Sequence, residues 1–155
     1  MTRTYKKLYS LDLINSSTGS YSFNCNVPFA CNKLEFRSSY LVEMGSFGEL
    51  VPLNPSSSFL VRTDLAENNI VATIGSRAVL NGANPDTLNV GSRYYAGSTF
   101  GNKVFTYNYP ALTEVQSSFC FDVRYSNSSD EIFNVDENAV SKSKLYIEIT
   151  FIAVE

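Results

Sequence analysis

Apolar and polar residues alternate with period two along most of the chain. Tyr9, Leu11 and Leu13 share one face of a first run, and Tyr21, Phe23, Cys25 and Val27 share one face of a second. Leu34, Phe36, Tyr40 and Val42 follow, then Phe59, Val61, Thr63 and Leu65. A shorter apolar run holds Ile70 to Leu80, with Gly75 inside it. Phe105, Tyr107 and Tyr109 form the next run, followed by Phe119, Phe121, Val123 and Tyr125. The last run is the cleanest: Leu145, Ile147, Ile149, Phe151 and Ala153 alternate with Tyr146, Glu148, Thr150 and Ile152. Successive side chains of a strand point to opposite faces, so each run predicts a half-buried strand. The pattern predicts about eight strands, rich in aromatic and β-branched residues.

The prolines fall between these runs or at their ends, where no ladder hydrogen bond is lost. Gly75 inside a strand-like run predicts a bulge. Three connections are long: Gly45 to Ser57, Asn81 to Asn102, and Asn127 to Ser143. Up-and-down barrels use short hairpins, whereas Greek keys need long crossings between sheets. The expected fold is therefore an all-β, eight-stranded antiparallel jelly-roll sandwich with Greek-key connections, one domain over residues 1–155. No internal repeat or linker interrupts it.

The stretch SFLVRTDLAENNI, residues 58–70, is ambiguous. Asp64 and Glu67 have the spacing of a capping box, which would open a helix from Leu65 to about Leu80. Asn68, Asn69, Val71, Thr73 and Gly75 are mediocre or poor helix formers, which favours a strand, a polar turn near Glu67 to Asn69, and a second strand. Arg62 and Asp64 then share one strand face, where a salt bridge is the plain reading and a catalytic pair the sharper one.

The same stretch carries a resemblance. Val61-Arg62-Thr63-Asp64-Leu65 resembles a strand of the jelly-roll capsid proteins of polinton-, virophage- and adenovirus-like double-stranded DNA viruses. GSYSFNCNVPFACNKLEFRSSYLVEM is similar to their opening strands, and KLYIEITFIAVE to their last. A single jelly roll suits a penton or other minor capsid protein. The resemblance implies a homo-oligomer, a pentamer above all, placed at a capsid vertex beside other capsid proteins and located in the virion.

Composition narrows the chemistry. The 155 residues contain no histidine, which removes the commonest general base and metal ligand, and with it His-based catalytic triads and cupin-type metal sites. Cys25, Cys31 and Cys120 have no metal-ligand or disulfide spacing, so no metal and no cofactor are expected. Cys25 and Cys120 lie in alternating apolar rows and read as small core residues, which suits assembly in an intracellular reducing compartment. Asp130, Glu131, Asp136 and Glu137 make an acidic loop that lacks the spacing of a calcium loop. The chain is not expected to be an enzyme. The net charge of −3, with only Arg3, Lys6 and Lys7 near the start, argues against extensive contact with nucleic acid. No apolar stretch of membrane or signal length occurs, so no membrane insertion is expected.

Charged residues make up 17% of the chain, against about 25% in ordinary domains, so much of the surface is Ser, Asn, Thr and Tyr. Such a surface suits burial against other subunits. Tyr94, Tyr95, Phe100 and Phe47 in the long connections, with Arg62 and Asp64, are the candidate interface residues. A lectin-like or receptor-binding β-sandwich that uses the Tyr-rich segment is the alternative.

Overall fold

A computed structural model describes residues 1–13, 17–44, 51–52, 59–74, 87–88, 93–97, 104–126, 132 and 140–155. Among them are β1 (Thr2–Asp12), β2 (Ser20–Asn24), β3 (Cys31–Met44), β4 (Val51–Pro52), β5 (Phe59–Thr63) and β6 (Asn69–Ile74). They continue with β7 (Thr87–Leu88), β8 (Arg93–Gly97), β9 (Phe105–Thr113), β10 (Ser118–Tyr125) and β11 (Val140–Val154). A single 3-10 turn, Asp64–Ala66, follows β5.

The first sheet has the order β1-β11-β3, and the far edge of β3 is covered by β8 and β9. β8 pairs with Ser39–Glu43 of β3 and β9 with Cys31–Phe36, so the two act as one broken strand. The second sheet has the order β2-β10-β5-β6. All these pairings are antiparallel. With β8 and β9 counted once, and the small β4–β7 pair set aside, the first, eighth, third and sixth strands make one sheet. The second, seventh, fourth and fifth make the other. That order is the jelly roll, two interleaved Greek keys.

The alternation seen in the sequence sets the core. Leu145, Ile147, Ile149 and Phe151 of β11, Leu34 and Phe36 of β3, and Leu11 of β1 face Phe119, Phe121 and Val123 of β10 and Phe59 and Val61 of β5. Aromatic rings lock the layers together: Tyr9 of β1 meets Phe119 edge-on at 5.1 Å and Phe23 at 5.0 Å, and Tyr40 meets Phe59 edge-on at 5.1 Å. Such pairs add about 0.5–1.5 kcal/mol beyond the area they bury.

The favoured reading of residues 58–70 holds: β5, a turn, then β6, in which the β-branched Ile70, Val71, Thr73 and Ile74 suit a half-buried strand and not a helix. Other expectations need correction. The 3-10 turn is capped by Thr63, whose Oγ1 accepts from the Leu65 N–H at 3.3 Å, and not by Asp64. β9 runs through Pro110 to Thr113; Pro110 lies on the outer edge of the sheet where the register to β3 is irregular, so its missing N–H costs no ladder bond. The connection 81–102 contains β7 and β8. The bulge falls between Val61 and Arg62 in the pairing of β5 with β6, while Gly75 lies outside the described residues.

Candidate assembly surfaces

The strand registers place the connections in two groups. Turns 25–30, 64–68 and 114–117 lie at one end of the sandwich, together with both termini. The connections that leave β1, β3, β6 and β10 lie at the other.

The short-turn end is tied down by polar side chains. β5 stops pairing with β10 at Thr63↔Phe121. Beyond that point Asp64 replaces the missing ladder carbonyl: its Oδ1 accepts from the Cys120 N–H at 2.9 Å, and its Oδ2 accepts from the Gln116 amide at 3.1 Å. Tyr109 on β9 donates to the Leu65 carbonyl at 2.9 Å and so bridges the two sheets. The Asn32 side chain pairs in both directions with the Val154 backbone, at 2.8 and 3.0 Å. Arg3 meets Glu155 at 2.6 Å and lies over the Phe29 ring at 5.0 Å. Glu67 and Asn68 both adopt the left-handed backbone region, at φ 53° and 62°, to bring β6 back beside β5.

Arg62 and Asp64 are therefore not a pair. Strand alternation ends at Thr63, where the chain turns, and both Asp64 oxygens are engaged elsewhere. Arg62 stays on the outer face of the second sheet, opposite Asp122 in register. Asp122 is held instead by Arg124 of its own strand, at 3.0 Å. Cys120 is on that outer face too: Phe119, Phe121 and Val123 take the inward positions, and its sulfur rests 3.2 Å from the Ser22 hydroxyl. It is half-buried and is not a core residue; Cys25 and Cys31 are.

At the other end the registers bring together the strand ends from which the connections that sequence reading found long depart. Tyr94 and Tyr95 lie on β8, opposite Val42 and Leu41 of β3 by backbone pairing. Phe47, Phe100 and the acidic residues Asp130, Glu131, Asp136 and Glu137 lie outside the described residues. β4 and β7 pair, which joins the connection after β3 to the one after β6. The Tyr40 hydroxyl is 2.5 Å from that of Ser143, both buried. Gly19, at φ 67°, passes so close to the Val123 carbonyl that a Cβ would lie 2.9 Å from it.

The titratable core groups are held in their neutral forms. Burial pushes the Cys31 thiol up to about 11 and the Cys25 thiol upward as well, the opposite of an activated nucleophile. Burial likewise pushes Tyr40 and Tyr109 up to about 12, and Tyr9 still higher. Among the described residues no group of three or more Cys, Asp and Glu side chains could hold a metal ion. No described helix is long and apolar enough to cross a membrane. The outer face of the first sheet carries an open depression of about 220 Å³ lined by Leu8, Arg37, Ser39, Tyr146 and Glu148.

No protein family matches the chain, and no curated protein is similar to it. Among solved structures, the chain is similar over 99% of its length to the STIV MCP, at 9% identity and a TM-score of 0.44. It spans 49% of that protein, about half its length. It is similar to the cyanophage Pam1 capsid at 10% identity and a TM-score of 0.39, covering 99% of this chain and 86% of that one. A complex of the Aeromonas sobria serine protease with its chaperone gives a TM-score of 0.40 at 6% identity, covering 99% of this chain and 27% of that one. These likenesses are too distant to assign a function. The jelly roll rests on the strand order itself.

Proposed function

We propose that this chain is a structural component of a viral capsid: a penton or other minor capsid protein, one jelly-roll domain over residues 1–155, that assembles with copies of itself into a closed ring, a pentamer, at a vertex. The observation that carries this reading is the strand order of the two sheets, a jelly roll with its long connections gathered at one end. The order makes a rigid wedge, and the gathered connections give that wedge one variable surface. The resemblance of residues 61–65 to capsid strands points the same way. A cyclic ring buries a heterologous interface, one surface of each copy against a different surface of the next. In this role the protein forms wall in the virion beside other capsid proteins and makes no extensive contact with nucleic acid. Its core thiols suit assembly in a reducing compartment. Arg62, on an outer sheet face, and Tyr94, Tyr95, Phe100 and Phe47, in or beside the long connections, are the proposed contact residues. Asp64 joins them only through its exposed edge, because its carboxylate is committed to the fold.

Light scattering on the purified chain, with negative-stain microscopy, tests the proposal. Closed rings are expected. A monomer that gains thermal stability from a glycan would overturn the capsid reading in favour of a lectin-like module.

A further inference from the structure

We draw no further inference here: the strongest candidate, the open depression on the outer face of the first sheet between Leu8, Arg37, Ser39, Tyr146 and Glu148, carries nothing because nothing in the structure shows what covers it.

Discussion

The two ends of the sandwich solve the same problem in different ways. At the short-turn end the chain reverses in a few residues, and polar side chains finish what the ladders leave open. Asp64 extends the β5–β10 pairing, Tyr109 crosses between sheets, and Asn32 closes the end of β11. At the other end the described contacts are Tyr40 on Ser143, Gly19 against the Val123 carbonyl and Ile132, and the pairing of β4 with β7. A carboxylate that accepts a backbone N–H and a side-chain amide is committed first to the fold. The polar side chains of the short-turn end therefore hold the fold, and Asp64 is one of them.

Substitutions can break this contrast or sharpen it. The largest effect is expected inside the short-turn end, where Phe119 packs against Tyr9, Phe23 and Phe121. Phe119→Ala should cost about 3–5 kcal/mol, read as a lower urea midpoint. At the opposite end, Gly19→Val forces a branched side chain into the left-handed region and against the Val123 carbonyl. It should cost about 1–3 kcal/mol, and a loss as large as that at Phe119 would show the long-connection end to be as tightly built as the other. Asp64→Ala removes two hydrogen bonds at the short-turn end and should lower stability by about 1–2 kcal/mol. An unchanged midpoint would return Asp64 to the pool of surface residues. The smallest effect is expected for Arg62→Ala, within about 0.5 kcal/mol, since it supports no described ion pair.

pH gives an independent reading of the shared core. Cys31, Tyr40 and Tyr109 are held above their ordinary values, at about 11, 12 and 12. Between the unfolded and folded values the unfolded chain binds fewer protons, so stability falls as pH rises. The contribution is complete below pH 9 and is lost progressively between about pH 9 and 12. Urea midpoints measured across that window should decline steadily, and Tyr40→Phe should flatten the upper part of the decline.

Much of the fold was written in the period-two pattern, because a strand with one buried face must alternate. That is why the inward rows of β1, β3, β10 and β11 were legible residue by residue. The pattern fails where backbone geometry departs from extension. Arg62 and Asp64 looked like neighbours on one face only while the strand was taken to continue past Thr63. β8 was hidden because Arg93–Gly97 pairs through its backbone amid residues of loop composition. Pro110 argued against a strand, yet an outer edge has no N–H to lose there. Cys120 was read into the core from its apolar neighbours, when its parity with Asp122 and Arg124 put it outside. The stapling role of Asp64 left only a faint trace in sequence, an Asp directly after a strand-ending Thr.

The first and last strands finish side by side, with the Glu155 N–H donating to the Met1 carbonyl at 3.0 Å. Any tether added to either terminus therefore emerges at the short-turn end. A fluorophore on Met1 and another engineered beside Ser126 would mark opposite poles of one particle. Energy transfer between neighbouring copies in the proposed assembly would then report which pole points outward.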